Sequence, residues 1–355
     1  MNRQKVQNES QQTYIWFREA AERGNAYAQF NLRMLYKTGA GVERDDAAAA
    51  AWLRRAAEQG LAFAQNHLGA MLYSGRGGEC DDAEAAYWLR RAAEQGDASA
   101  QQNLGQLHGE GRGVACDAEA ALGWFYRAAE QGVASAQTRL AECYLHGRGV
   151  PVNYPLAAAW LRKAADQGDV AAQFNLGVMY ATGQGVAVDG AHAARWYALA
   201  AAEGDASAQN NLGVLYATGD GLPRDDVRAA QWYRLAAEQG DASAQNNLGV
   251  LYASGQGVAH DDRLAVHWYE LAAEQGHALA QYNLGGMYGS GLGVARDPVR
   301  AYMWMLLAAE GGDATANVNK TIVARRLSPS EIGWALDLSH TWRLSHRDVL
   351  PQRPA

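Results

Sequence analysis

Cysteine, proline and phenylalanine are scarce in this chain, whose 355 residues hold 3 Cys, 7 Pro and 5 Phe. Three cysteines exclude a disulfide-dense framework. Cys80 and Cys116 occupy the same slot 36 residues apart, where stacked helices would separate their backbones by roughly 8–10 Å, beyond disulfide reach. Cys143 falls on a different element, so three free thiols in a reducing compartment follow. The chain contains no run of 18 apolar residues, which argues against a membrane-spanning helix. MNRQKVQNES lacks the apolar core of a secretory signal. The expectation is a cytoplasmic chain without membrane contact, or a periplasmic or secreted one if an upstream leader was removed. An excess of positive charge is absent too: 31 Lys and Arg face 38 Asp and Glu, a formal net charge of −7 spread along the chain. No basic stripe is offered to nucleic acid.

Signs of reaction chemistry are equally sparse. HExxH, Gly-Lys-Ser/Thr and Ser-x-x-Lys do not occur, and His67, His108, His146, His260 and His267 lack metal-ligand spacing. His260-Asp261-Asp262 reads as a loop leading into a helix cap. No catalytic residue, metal site or cofactor is expected.

Repetition is what the chain has in abundance. DASAQNNLGVLYA stands at Asp205–Ala217 and again at Asp241–Ala253, 36 residues on. AAEQG or a close variant ends at Gly24, Gly60, Gly96, Gly132, Gly168, Gly204, Gly240, Gly276 and Gly312 with no residue gained or lost. Counted from each glycine, all eight complete units carry Gln at the fifth place, from Gln29 to Gln281, and Leu at the eighth, from Leu32 to Leu284. Each then has a Gly-x-Gly, and Trp returns from Trp52 to Trp304 with Trp16 in phase upstream. A strict period of roughly 20 to 50 residues marks a stacked array in which each unit contacts its neighbours. One elongated repeat domain without an interdomain linker is predicted.

Within the unit after Gly204, Ala208, Leu212, Gly213 and Tyr216 fall on one face of a helix, helix A. Gly219-Asp220-Gly221-Leu222-Pro223 interrupts it as a turn. Asp225 or Asp226 then caps helix B, where Ala229, Ala230, Trp232, Tyr233, Ala236 and Ala237 follow at helical spacing until Gly240. Asp297-Pro298 repeats this logic with a proline at the first helical position. The alanine pairs let neighbouring helices approach closely, while one Trp per unit fills the remaining space. The result is an all-α fold of antiparallel helix pairs with a 36-residue repeat.

Four motifs carry a resemblance: A-x-A-Q-x-x-L-G-x-x-Y at Ala206–Tyr216, G-x-G-V at Gly255–Val258, D-x-x-x-A-x-x-W at Asp225–Trp232 and A-A-x-x-G at Ala236–Gly240. Together they resemble the Sel-one-like repeat (SLR) family, relatives of tetratricopeptide repeats, from roughly Trp16 to Gly312. The resemblance implies a right-handed α/α superhelix, or solenoid, with helix A lining its concave side. It also implies a non-catalytic scaffold or adaptor, of the kind that gathers partners for signalling, secretion, envelope assembly or host interaction. Some cysteine-rich SLR proteins are associated with β-lactam binding or slow hydrolysis, which makes a small-molecule-binding or hydrolytic protein the alternative. The cysteine pairs of that branch are absent here. Richness in Ala, Gly and Arg is compatible with a bacterial source.

The organisation expected is a tail and half-repeat capping helix over 1–24, eight repeats over 25–312, a degenerate repeat and capping helix over 313–346, and a tail over 347–355. Glu9–Gly24 reads as a helix B without its helix A, either an N-terminal cap or the trace of an upstream truncation. Ser328-Pro329-Ser330-Glu331 reads as a capping box opening a last helix with Trp334, Leu338 and Trp342 along it. The tail Pro351–Ala355 is expected to be disordered.

Internal comparison of the units points to a binding surface. Helix A should bury its fourth, eighth, ninth and twelfth places, leaving the third, sixth, seventh, tenth and fourteenth facing the groove. Towards the C-terminus this groove offers Val178, Val214 and Val250, with Phe174 and Tyr282 as apolar anchors. Asn175, Asn211, Asn247 and Asn283 hold the seventh place, where each amide either pairs with the main chain of an extended peptide or bonds its own neighbouring turn. Towards the N-terminus Tyr27, Phe30, Met34 and Phe63 form an aromatic surface, with Tyr73 near its edge, suited to an apolar partner or a homodimer contact. Arg76, Arg112 and Arg148 make a basic ladder along one rim that either steers an acidic partner or is a solvated edge. The expected partner is another protein or an extended peptide segment.

Overall fold

The computed structural model describes residues 3–75 and 80–346, and these form nineteen α-helices and no strand. Arg76 and Pro351–Ala355 lie outside the described residues. The first four helices are α1 (Arg3–Glu22), α2 (Ala26–Thr38), α3 (Asp46–Glu58) and α4 (Ala62–Ser74). Helices A then begin every 36 residues, at Ala98, Ala134, Val170, Ala206, Ala242 and Ala278, and each is followed by its helix B. This is the helix-pair repeat of an α-solenoid. The chain divides into two compact units, Met1–Ala172 with Gln184–Val186, and Gln173–Gly183 with Ala187–Ala355.

Local chemistry sets each helix. Asp205 and Asp241 cap their A helices by accepting the Ala208 and Ala244 N–H groups at 2.7 Å, each in place of a lost intrahelical partner. Helix B of the same repeat is capped by Asp225, which accepts from Arg228 N–H at 3.0 Å, while Asp226 is engaged by Arg224. Asp297 caps the helix that Pro298 opens. The first helix begins at Arg3, earlier than the segment from Glu9.

Packing follows the repeat. Ala236, Ala237, Ala272 and Ala273 are buried, as are Leu212 and Leu248. On helix A the buried arc is rotated relative to expectation: Leu215 and Leu251 at the eleventh place are buried, whereas Tyr216 and Tyr252 at the twelfth are half-buried. The eleventh-place leucines are short enough to be fully enclosed, and Tyr216 and Tyr252 keep their hydroxyls available to Arg228 and Arg234. Ninth-place glycines receive a bulky helix B side chain, so that a Cβ at Gly213 would stand 2.7 Å from the Tyr233 ring and one at Gly249 2.7 Å from Tyr269. Burial pushes both tyrosine hydroxyls up to about 12.

The fifth-place glutamines explain their own recurrence. Gln245 is buried, donates to the Ala237 carbonyl at 3.1 Å and accepts at 2.8 Å from Gln275. Gln65 does the same with Ala57 and Gln95. The buried amide thus ties helix A to the helix B before it and to the one after. The second glycine of the turn has a separate job, as at Gly257, which has φ +66° and where a Cβ would overlap the Asp226 carbonyl of the preceding repeat. Only glycine meets both conditions.

The last helix, Pro329–Ser345, opens with the complete Ser328–Glu331 capping box. Trp342 is buried, lies edge-on to Trp304 at 5.9 Å and donates to Glu274 at 3.0 Å. Trp334, two turns earlier on that helix, is exposed.

Candidate protein-binding surface

The apolar side chains of the N-terminal A helices are placed outward by their register. Tyr27 on α2 and Phe63 on α4 share the third place and are 62% and 54% exposed. Met34, at the tenth place of α2, is also exposed. Phe30 is half-buried: it packs against the Leu53–Leu68 core and lies 5.3 Å from the His67 ring. Trp16 on α1 is 64% exposed, while Trp88, in the same phase, is 5% exposed, because Trp88 seats in the core of the preceding repeat.

Further along, Val250 is exposed and Val178 and Val214 are half-buried. Phe174 is half-buried with its ring 6.0 Å from Tyr197. Tyr282 is half-buried and accepts at 2.8 Å from Asn319.

Asn31, at the seventh place of the first unit, bonds its own turn at the Tyr27 carbonyl, whereas Asn247 and Asn283 reach to the preceding repeat. Asn247 donates to Asn210 Oδ1 and Asn283 to Asn246 Oδ1, both at 3.0 Å. Asn103 and Asn66 form the same link at 3.1 Å. Asn211 meets the Tyr197 hydroxyl and accepts from Asn210 at 3.4 Å, and Asn175 is half-buried. At Asn103, Asn247 and Asn283 the seventh-place amide thus links successive repeats through a sixth-place asparagine of the repeat before. Arg112 is likewise taken: it clasps Asp82 at 2.7 Å and covers the Tyr73 ring at 4.0 Å. Sequence reasoning missed the glutamine and asparagine ladders, although the fifth-place Gln of every complete unit was the visible signal of the first.

Electrostatics single out the first repeat. A cleft of about 350 Å³ among α2, α3 and α4 is lined by Arg33, Lys37, Arg44, Asp46 and His67 over Ala49, Ala50, Ala70 and Met71. Burial lowers the pKa of Arg33; burial lowers that of His67 as well, and the nearby Arg33 and Lys37 charges push it further down against Asp97. All three thiols are free, and burial pushes that of Cys143 up. Among the described residues no group of three or more His, Cys, Asp or Glu side chains could hold a metal ion, and no helix is long and apolar enough to cross a membrane.

The family pattern described as Sel1 repeat matches residues 6–25, 26–61, 62–97, 98–133, 134–169, 170–205, 206–241, 242–277 and 278–313. No curated protein matches the chain. Among solved structures, a Sel1 repeat protein from Oxalobacter formigenes is 34% identical, covers 85% of this chain and 87% of its own, and superimposes with a TM-score of 0.64. A protective antigen of uropathogenic Escherichia coli strains displaying an SLR fold is 31% identical over 96% of this chain and 90% of its own, with a TM-score of 0.50. Nine repeat matches in unbroken succession, in phase with the helix pairs described above, place this chain in the Sel1 repeat family.

Proposed function

We propose that this protein is a non-catalytic scaffold that holds an extended segment of another protein against the outward faces of its A helices. Sel1-type repeats are a fold generally used for protein–protein interaction. The observation that carries the reading here is the outward exposure of Tyr27, Met34 and Phe63 on adjacent A helices, where large apolar side chains gain more from a partner than from water. Val178, Val214 and Val250, with Phe174 and Tyr282 beside them, extend the contact along later helices. The amides of Asn211, Asn247 and Asn283 play a supporting part by tying those helices to their neighbours.

Display selection of extended peptides against the purified chain tests the reading. Selected peptides should bind the wild type, and Tyr27→Ala/Phe63→Ala should weaken them about tenfold, as expected for loss of two apolar anchors. Failure to enrich any peptide, or equal binding by the double variant, would count against it.

A second reading rests on the exposed Trp16: the N-terminal aromatic surface closes a homodimer. Sedimentation equilibrium decides this, since a monomer at all concentrations removes the dimer.

A further inference from the structure

The first repeat breaks the array at one place in a way that changes its chemistry. The ninth place of helix A is Gly69, Gly105, Ala141, Gly177, Gly213, Gly249 or Gly285 in the seven later units, and Arg33 in the first. In the later units this small residue lets helix A close on helix B: a Cβ at Gly69 would stand 2.6 Å from Leu89, and one at Gly105 2.8 Å from Phe125. An arginine cannot enter a seam closed in that manner. Arg33 lines the cleft among α2, α3 and α4. A cleft of about 380 Å³ between the third and fourth repeats, lined by Gln106, Phe125 and Arg139 among others, occupies the equivalent place, so the first repeat is set apart by the charge it brings there.

The charges in the first repeat's cleft do not balance. Its one carboxylate, Asp46, is held by Arg44 at 2.8 Å. Among the described residues no carboxylate forms an ion pair with Arg33 or Lys37, although Arg112, Arg139, Arg300 and Arg343 each have one. Arg33 has its Nε buried without a hydrogen-bond partner, its Nη2 on the Met34 sulfur at 3.2 Å and its guanidinium 4.7 Å over the Phe30 ring. A thioether is a weak acceptor, and the Phe30 ring and the Met34 sulfur return only part of the solvation that a half-buried cation without a counter-ion forfeits. Phe30 and Met34 also hold the guanidinium in place, which lowers the ordering cost of a ligand bond.

We propose that this cleft is an anion-accepting site that takes the carboxylate of a Glu or Asp side chain on an acidic segment of the partner protein. The guanidinium offers paired N–H donors of the geometry a carboxylate accepts, Lys37 adds a second charge, and the alanines and Met71 suit an aliphatic stem. The site lies beside Tyr27, Met34 and Phe63 on the same helices, so it rests on the reading that these faces bind a protein segment. It adds to that reading a requirement for acidic residues next to the apolar anchors.

The test uses the full chain and three probes: a capped hexaglutamate peptide, its hexaglutamine counterpart and inorganic phosphate, each followed by calorimetry. The chain carries a formal charge of −7, so diffuse attraction of polyanions is disfavoured. Hexaglutamate should bind at least about tenfold more tightly than hexaglutamine, the range expected for a hydrogen-bonded charge pair, with an advantage that shrinks as salt rises. Arg33→Ala and Arg33→Gln should abolish that advantage, Arg33→Lys should keep part of it, and none should lower the melting temperature. Equal binding of the two peptides, no binding of hexaglutamate, or an advantage that survives Arg33→Gln would each overturn the proposal. Phosphate binding that depends on Arg33 and outcompetes hexaglutamate would make this a small-anion site and overturn the acidic-segment assignment. Tyr27→Ala/Phe63→Ala separates the readings: display-selected peptides lose affinity for that variant if the face binds protein, whatever hexaglutamate does.

Discussion

The first and seventh repeats share their register and their motif residues and differ in what stands at the ninth place of helix A. In the seventh, Gly249 admits the Tyr269 ring and the seam between its two helices is filled. In the first, Arg33 stands at that place, and a cleft with unbalanced positive charge borders it. The difference lies in the residue at that one place: glycine there admits the helix B side chain, whereas arginine there brings a guanidinium to the edge of the cleft.

The largest effect should come from making the seventh repeat resemble the first. Gly249→Leu forces side-chain atoms into the Tyr269 ring and should cost about 3 kcal/mol, read as a lower urea midpoint by circular dichroism. A midpoint within error of wild type would mean the seam has slack. Gln245→Leu keeps the volume but removes the bonds that tie this helix to the Ala237 carbonyl and the Gln275 amide. It should cost about 2 kcal/mol, and a neutral result would show that these amide bonds are replaced by water. The converse change, Arg33→Ala, places in the first repeat the residue that Ala141 already supplies in the fourth. It should leave stability unchanged or gain up to about 1 kcal/mol by removing a buried charge, and clear destabilisation would show that Arg33 supports the fold.

The smallest effect concerns a helix cap. His277 accepts the Ala280 N–H at 3.2 Å through Nδ1, where Asp205 and Asp241 serve in earlier units. Burial is the main cause holding its pKa below the ordinary 6.5, with Asp241 opposing. The folded state thus favours the neutral ring, and the unfolded chain takes up its proton first as pH falls. Stability from this group should be complete above about pH 6.5 and decline below it until the folded-state pKa is passed. Melting temperatures of wild type and His277→Asp should diverge between about pH 7 and pH 5. Parallel curves would remove the histidine from the cap.

Much of the fold was legible because it is written locally. The helix ends follow from Asp225, Asp297, Ser328 and the paired glycines, whose effects act within a few residues. The outward exposure of Tyr27 and Phe63 follows from helical periodicity alone. The bonding of Asn247 and Asn283 was not legible, since each amide meets a side chain 37 residues away. The clasp of Arg112 on Asp82 spans 30 residues in the same way. The sequence marked Arg33 only as an absent glycine, and what that absence meant depended on the neighbour the glycine would have admitted.

By itself the sequence determined the 36-residue period, the alternation of two helices and a turn, and the side chains able to face outward, because spacing along one helix settles each of these. Tertiary structure alone decided which polar groups are consumed by stacking and which remain for a ligand. Partners 30 or 37 residues apart meet only when successive repeats dock in register, and that docking buries the Gln245 amide while leaving the Arg33 guanidinium without a counter-ion.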